Sequence, residues 1–591
     1  MDKWVLKNNT GDFSQIAKNF GISEELARII IFRGNDTKEK INNFLFMNMS
    51  MIHSPLLLDD MDKAVKILKE KINSKSHIRI VGDYDVDGIT ATYILLTSLR
   101  KLGANVDYII PDRIKDGYGI NIDIIDAAIK DKVDTILTCD NGIAAISQIE
   151  YAKKNGMTVI VTDHHDIVYE DTIEGRKYSL PDADAVVNPH KPGSVYPYES
   201  ICGAMVAFKL VWQLFDEFMM EADAIDEFIE IACLGTVCDV MPLLNENRVV
   251  VREGLKRMVN TKNIGLRYLL QESGALKNGK DNLGVYHLGF IIGPCLNATG
   301  RLKTATLAID LLCCKDEEKA QKLANELVKL NSERKQMTEE STARILNNIE
   351  NSTLKNDKVI VVYDKECHES LAGIIAGRVK EKYNRPVIVI TDAEGMCKGS
   401  GRSIENYNIY EGLNACKDLM KKFGGHPMAA GISLEESNIE HLRRKLNEEC
   451  QLSEDDFVNK VVIDVVKDPC TFSIAAVKEL DILEPCGTGN ERPIFAARNV
   501  GIKKAYVVGK ERQILKLDLY TDTSNYTCSA VYFGDISIFD KDIYDAFGSD
   551  NWEKMYKGLE NDVRISILYN PQINEYNGRK SIQVSIKGYL C

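Results

Sequence analysis

HIRIVGDYDVDG at residues 77–88, IIPDR at 109–113, TILTCDNG at 135–142 and TVIVTDHH at 158–165 follow one plan, a short β-rich run that ends in an acidic or histidine-bearing turn. Runs of this composition read as strands. Between them lie amphipathic stretches at 89–102, 122–129 and 144–152, so the segment from His77 to about Asn188 reads as βαβ units around a parallel sheet. Ligands of such a sheet bind beyond the carboxyl ends of the strands, which brings Asp83, Asp85, Asp87, Asp140, Asp163, His164 and His165 to one crevice. Carboxylates gathered this densely repel one another unless cations join them. Two divalent ions about 3.5–4 Å apart would turn the cluster into a device for in-line displacement at phosphorus. Phosphoester hydrolysis is the first expectation.

Asp85 and Asp87 flank a single residue, and in a turn leaving a strand they are expected to bracket adjacent cations from the same side. Asp140, from another strand, is the candidate bridge between the ions. Hard oxygen ligands suit Mg2+ or Mn2+, and the imidazole of His164 favours Mn2+. His164 and His165 are two of only nine histidines in the chain. Neighbouring side chains at a strand end point in different directions, so His164 is assigned to metal and His165 to the scissile phosphate. Asp239, in LGTVCDVMPL at 234–243, lies among apolar residues and is a further candidate ligand, with a helix-capping role as the plainer alternative. A D-x-D pair alone is more often a calcium loop or a polar turn; its occurrence with TCDNG and TDHH changes that balance.

The 591 residues suggest three or four domains at roughly 150 residues each. Residues 1–75 read as an N-terminal helical segment without obvious chemistry, and 76–315 as the catalytic domain. Residues 316–350 read as one connecting helix, with Leu323, Leu327, Leu330 and Met337 at helical spacing. A second α/β domain spans 351–452. From 455 to 591 short β-like runs divided by Gly, Asn and Asp suggest a small closed barrel of OB type. KGSGRS at 398–403 and FGGHPMAAG at 423–431 read as glycine-rich turns that offer the amides of Gly424 and Gly425, with Ser400, Arg402 and His426, to an anion. GPCLNATGRL at 293–302 reads as another such turn, presenting Asn297 and Arg301 to the same cleft if the connecting helix folds the lobes together.

A formal net charge of −13 argues, taken alone, against a polyanionic partner, because nucleic-acid affinity rests on Lys and Arg. An acidic metal cluster accounts for part of that excess, and basic residues gather locally at Arg443-Arg444-Lys445 and Lys421-Lys422, although such runs are more often plain solvated faces. Fifteen cysteines, many inside apolar runs and none in a C-x-x-C pair, read as buried free thiols of a reducing compartment. The start lacks the apolar core of a signal peptide and no apolar run reaches the ~18 residues of a membrane span, so a cytoplasmic protein is expected.

In order, VGDYDVDGITAT, PDR followed by DGYG, TCDNGI, TDHH, CGAMVAFK, LGTVCDVMPL, GPCLNATGRL, KGSGRS, FGGHPMAAG and LEPCGTGNERPIF resemble the successive motifs of the DHH phosphoesterases, whose name matches the triplet Asp163-His164-His165. The closer resemblance is to the RecJ-type single-strand-specific exonucleases, and it spans nearly the whole chain. It implies an α/β fold in which a parallel-sheet DHH domain and a DHH-associated α/β domain are joined by a long helix and followed by an OB-like β-barrel. It also implies a metal-dependent exodeoxyribonuclease of DNA repair and recombination, which uses two Mn2+ or Mg2+ ions to hydrolyse single-stranded DNA from 5′ to 3′ into 5′-mononucleotides. Matching positions make Asp85, Asp87, Asp140, His164 and Asp239 metal ligands, and count Asp83, Asp163 and His165 as catalytic. Arg113, Asn297, Arg301, Ser400, Arg402, Gly424, Gly425 and His426 fall to nucleic-acid binding.

Members of this family work with a helicase and single-strand-binding protein; a monomer with no membrane association is expected. Val81 stands where many DHH enzymes carry a histidine, leaving the first metal set without a nitrogen ligand. Two rivals are a DHH phosphodiesterase of short oligonucleotides or cyclic dinucleotides, and a non-catalytic DHH-derived replication scaffold. The C-terminal barrel argues against the first, and the complete ligand set against the second.

Overall fold

The computed structural model describes residues 2–8, 11–172, 175–276, 283–393, 395–509, 512–576 and 578–591. The chain forms two compact units, residues 49–458 and a second made of 1–48 with 459–591.

In the larger unit, strands β1 (His77–Val81), β2 (Asn105–Ile109), β3 (Thr135–Cys139), β4 (Thr158–Thr162) and β5 (Ala185–Val187) form a parallel sheet in the order β2-β1-β3-β4-β5. Helices cover it, so the inner strands are buried on both faces and carry continuous β-branched runs rather than alternation. The chain leaves β1 for β2 on one side and then crosses to β3 on the other. The switch point, where a crevice opens beyond the strand ends, therefore lies between β1 and β3. Helix α1 (Val86–Lys101) leaves β1, while α2 (Gly203–Glu217) and α3 (Ile229–Cys238) pack against it.

GPCLNATGRL is not a turn but helix α4 (Gly293–Leu302). Its glycines serve close approach: a Cβ at Gly293 would lie 2.5 Å from Cys238 Sγ, and one at Gly300 2.8 Å from the Tyr84 carbonyl oxygen. Helix α5 (Glu317–Glu350) runs 34 residues without a break, about 51 Å at 1.5 Å per residue. It packs on α4 near its middle, where Asn331 donates to Cys295 Sγ at 3.4 Å, and buries Ile345 and Ile349 with the second lobe at its end.

That lobe is a sheet of β6 (Ile360–Tyr363), β7 (Val387–Ala393), β8 (Met396–Arg402), β9 (Lys422–His426) and β10 (Ala429–Leu434) in the order β9-β10-β8-β7-β6. Helix α6 (Ala372–Tyr383) connects the parallel pair β6 and β7. KGSGRS thus lies largely in strand β8 and FGGHPMAAG forms the β9–β10 hairpin; neither is the free glycine-rich turn expected from composition.

In the smaller unit, β11 (Phe495–Val508), β12 (Ile514–Tyr520), β13 (Cys528–Tyr532), β14 (Arg564–Tyr576) and β15 (Arg579–Leu590) run β11-β12-β13-β15-β14, and pairing of β11 with β14 closes a five-stranded barrel. The expected helical segment 1–75 is not one unit. Lys3–Leu6 is a strand paired in parallel with Lys460–Ile463, and Leu26, Ile29 and Ile30 enter the core of the barrel. The helix Met61–Asn73 packs instead in the larger unit, on α2 and β5. Periodicity marks an apolar face but does not name the surface that covers it.

Candidate metal centre

Three strand ends, those of β1, β3 and β4, and the end of helix α3 supply the centre, and the start of α2 holds it in place. After β1 the chain folds tightly over itself: a Cβ at Gly88 would lie 2.6 Å from the Asp83 carbonyl oxygen. Asp85 caps α1, its Oδ1 accepting the amides of Asp87 at 2.9 Å and Gly88 at 3.1 Å. Asp87, in the first turn, accepts the Gly203 amide on Oδ2 at 2.6 Å and the Ala204 amide on Oδ1 at 2.9 Å, so the positive end of α2 holds it.

Asp140 follows β3 with φ at 61°, a left-handed conformation uncommon outside glycine and typical of functional turns. Tyr118 donates to its carbonyl oxygen at 2.7 Å. Asn141 ties the strand ends together, donating to the carbonyls of Val81 at 3.0 Å and Cys139 at 2.9 Å. Asp239 ends α3, and Val240 after it has φ at 58°, an outlier for a β-branched residue.

His164 Nε2 lies 3.1 Å from Asp140 Oδ1 and 3.6 Å from both Asp87 Oδ2 and Asp239 Oδ2. Asp83, Asp85 and Asp140 form one set able to hold a cation, and Asp87, His164 and Asp239 another; Asp140 also groups with His164 and His165 and so belongs to both neighbourhoods. Asp85 and Asp87 are divided between the two sets. Asp83 falls in the carboxylate set itself.

Asp163 differs from the rest. Its Oδ1 accepts the His164 amide at 2.7 Å, the His165 amide at 3.2 Å and His165 Nδ1 at 2.7 Å, while Oδ2 accepts the Ile143 amide at 2.9 Å. With both oxygens engaged, Asp163 orients the turn and the His165 ring. Burial alone would raise its pKa, but these hydrogen bonds and the two imidazoles hold it below the usual carboxylate value. Burial lowers the His165 pKa, yet the Asp163 bond and charge, with Asp239 and Asp87, outweigh it and lift the imidazolium to about 9.

The remaining carboxylates show what the centre demands. Burial first, then repulsion from neighbouring carboxylates, pushes Asp83, Asp85, Asp140 and Asp239 upward. Asp83 Oδ1, Asp140 Oδ1 and Asp239 Oδ2 are buried and accept no hydrogen bond among the described residues. Buried oxygens without donors are costly, and divalent cations satisfy them. The all-oxygen set suits Mg2+ or Mn2+; the imidazole in the other inclines it to Mn2+. Val81 is fully buried in the apolar core, away from any ligand role.

Beside Asp83 and Asp85, Tyr84 opens onto a cavity of about 460 Å³ that Arg113, Arg301, Ser400, Arg402 and Gly424 also line. Arg113 lies over the Tyr84 ring at 4.8 Å. Arg402 donates to Ser400 Oγ at 3.2 Å and to the Gly401 carbonyl at 2.7 Å, and Arg301 donates to the Ser370 carbonyl. Burial, then Arg113, Arg334 and Arg402, bring the Arg301 pKa down to about 9; burial and Arg113 also lower Arg402. Glu369, also in the lining, is paired with Lys398 at 2.9 Å. Among the described residues none of the three guanidiniums pairs with a carboxylate, so the cavity is built for an anion. Asn297, half-buried one turn before Arg301 on α4, does not line it. Gly425 and the exposed His426 lie further along β9, also outside the lining.

Tyr118, Asn141 and the Gly203 and Ala204 amides build the centre but were not singled out by residue chemistry, because main-chain donors and a lone Tyr or Asn carry no metal signature. Asn188 is another, donating to the His165 carbonyl at 3.0 Å.

Known proteins share this plan. The DHH family, N-terminal domain, matches residues 77–236, the DHHA1 domain 356–452, and the RecJ OB domain 463–588. The single-stranded-DNA-specific exonuclease RecJ of Bacillus subtilis is 33% identical over 590 residues, covering 99% of this chain and 70% of that protein. The Escherichia coli protein of the same name is 32% identical over 550 residues, covering 90% of each. The crystal structure of RecJ in complex with Mn2+ from Thermus thermophilus superimposes with a TM-score of 0.82 at 26% identity, covering 100% of this chain and 79% of that one. The corresponding Mg2+ complex gives a TM-score of 0.75 at 26% identity, covering 99% and 78%. With identity above 30% across nearly all of its length and all three domains in order, this chain belongs to the RecJ family of the DHH superfamily.

Proposed function

We propose that this protein degrades single-stranded DNA from the 5′ end, hydrolysing successive phosphodiesters to release 5′-mononucleotides, with Mn2+ or Mg2+ as cofactor. The observation that carries this is a carboxylate–imidazole cluster divided into two sets around Asp140, with Tyr84, between Asp83 and Asp85, lining a cavity whose arginines have no carboxylate partner among the described residues. Asp83, Asp85 and Asp140 would hold one ion, and Asp87, His164 and Asp239, with Asp140, the other. When bound, such ions lower the pKa of water toward ~7 and neutralise charge that develops on phosphate oxygens.

The other side chains position the substrate. Arg113, Arg301 and Arg402 receive the terminal phosphate, with Ser400 Oγ holding Arg402 in place. The Asp163 bond occupies His165 Nδ1 and leaves Nε2, beside the Tyr118 hydroxyl at 3.3 Å, as the nitrogen that would meet the reacting phosphate. A phosphate seated beside Tyr84, between Asp83 and Asp85, would fix the 5′ end next to the centre, and a fixed end supports release of one nucleotide at a time. Asn297, Gly425 and His426 are assigned to the strand leaving this cavity.

We assign 76–315 as the catalytic domain, 316–350 as the connecting helix, 351–452 as the DHH-associated domain and 455–591 as the nucleic-acid-binding barrel. The barrel fold, of a type that tracks single strands, supports that last role. We further assign the protein to the cytoplasm, as a monomer acting on strands freed by a helicase and coated by single-strand-binding protein. Buried free thiols support a reducing compartment. No helix among the described residues is long and apolar enough to cross a membrane.

Incubation with Mn2+ and a long single strand labelled at either end tests the proposal, with a dinucleotide and a blunt duplex alongside. Early release of the 5′ label as mononucleotide is expected. Preference for the dinucleotide, or first release from the 3′ end, defeats it.

A further inference from the structure

The stretch that carries Arg301 at one end presents two aromatic rings to solvent at the other. A helical turn at Val285–His287 passes through a π-helical turn, Leu288–Ile292, directly into α4. Single π-turns within helices recur at functional sites. Tyr286 and Phe290 are 64% and 67% exposed and stack on one another, ring centroids 5.1 Å apart and planes 23° from parallel. Their stacking with each other leaves outer ring faces open.

The π-turn that carries the pair packs against the end of α3, next to Asp239. The Leu288 carbonyl accepts Cys238 Sγ at 3.6 Å, Gly293 packs against the same sulfur, and Gly289 faces Val237. Cys238 precedes Asp239, and Val240 after it is exposed in its left-handed turn. Along the helix, Arg301 in the anion cavity lies about 16 Å beyond Phe290 at 1.5 Å per residue. One continuous helix therefore passes from the anion cavity to the Asp239 turn and on to the aromatic pair.

We propose that Tyr286 and Phe290 form a base-stacking platform for the substrate strand. With its terminal phosphate among Arg113, Arg301 and Arg402, the strand crosses the metal centre and lays a nucleobase from the 3′ side of the cut on the outer face of the pair. Every base has a π-face, so the platform adds affinity without sequence preference, and a base held in a duplex is not free to lie on it. The inference rests on the single-strand reading given above.

The test moves one abasic site stepwise along a single-stranded oligonucleotide and reads binding by fluorescence anisotropy in EDTA. For the unaltered protein, one abasic position near the 5′ end should weaken binding roughly 5- to 150-fold. The double variant Tyr286→Ala/Phe290→Ala should lose the same factor on the intact strand and no longer respond to that position. Tyr286→Phe and Phe290→Tyr, which keep the ring faces, should behave as the unaltered protein. An alanine variant that binds the intact strand normally, or that loses affinity equally for intact and abasic strands, overturns the platform. If the unaltered protein degrades single strands with Mn2+ but shows no abasic position of weakness, the platform alone fails; if it does not degrade them, the functional reading fails as well.

Discussion

Replacing Asp140 by asparagine should separate metal binding from folding. Asparagine keeps the side-chain shape and tolerates the left-handed backbone at φ 61°, so the turn after β3 persists. What it removes is a charge that belongs to the Asp83–Asp85 set and lies 3.1 Å from His164 of the other, in a centre where Asp83 Oδ1 and Asp239 Oδ2 accept no hydrogen bond among the described residues. For the native protein, Mn2+ at one hundred times its Kd stabilises the folded state by about 2.7 kcal/mol. At about 2 °C per kcal/mol for a large domain, the transition of the 49–458 unit rises by about 5 °C. If the variant binds one hundredfold more weakly, the same Mn2+ concentration stabilises by only about 0.4 kcal/mol, a shift below about 1 °C. Its metal-free melting temperature should equal or exceed the native value, because one member of a mutually repelling group is gone. Differential scanning fluorimetry with and without Mn2+, supported by titration calorimetry, measures both quantities. A Mn2+ shift as large as the native one would refute the assignment of Asp140, and a metal-free transition lowered by several degrees would make its charge structural.

Three further outcomes follow from single contacts. Arg402→Ala should weaken single-strand binding and reduce the slope of log K against log salt by about one phosphate contact; an unchanged slope removes Arg402 from the track. Gly203→Ala would place a Cβ 2.7 Å from Asp140 Cβ, so urea denaturation should show a loss of about 1–3 kcal/mol together with reduced turnover, and unaltered stability would contradict the packing. Lys209 and Glu246 form a fully buried pair at 2.8 Å, with Lys209 also donating to the His53 carbonyl at 2.8 Å. Lys209→Met should therefore cost about 3–5 kcal/mol in chemical denaturation, with much of it recovered in Lys209→Met/Glu246→Leu; a harmless single change would show that neither charge depends on the other.

Much of the centre could be read from local sequence because a buried parallel strand needs a continuous apolar run, and chemistry at its carboxyl end must follow within a few residues. That is why Val81, Cys139 and Thr162 each precede the acidic turns Asp83–Asp87, Asp140 and Asp163–His165. Other features were hidden in residue types that serve two purposes. The glycines of GPCLNATGRL suit a turn or a close helix contact equally, and only the neighbouring Cys238 and Tyr84 decide for the helix. An aspartate reads the same whether it faces a cation or, like Asp163, accepts amides and an imidazole N–H with both oxygens. The partner of the apolar face at Leu26, Ile29 and Ile30 is a barrel hundreds of residues away, beyond the reach of any periodicity.

By itself the sequence determined the alternation of strand and helix, the strand ends at which acidic groups emerge, the long connecting helix and the run of short strands at the end. All of these depend on neighbours within a few residues, where backbone geometry and apolar burial act directly. Only the tertiary structure decided that Asp85 and Asp87 divide between two cation sets, that Asp140 belongs beside both, and that three arginines from separate segments face one cavity with no carboxylate paired to them among the described residues. Coulomb energy and desolvation depend on distance through space, and folding alone brings residues remote in the chain close enough for those terms to act.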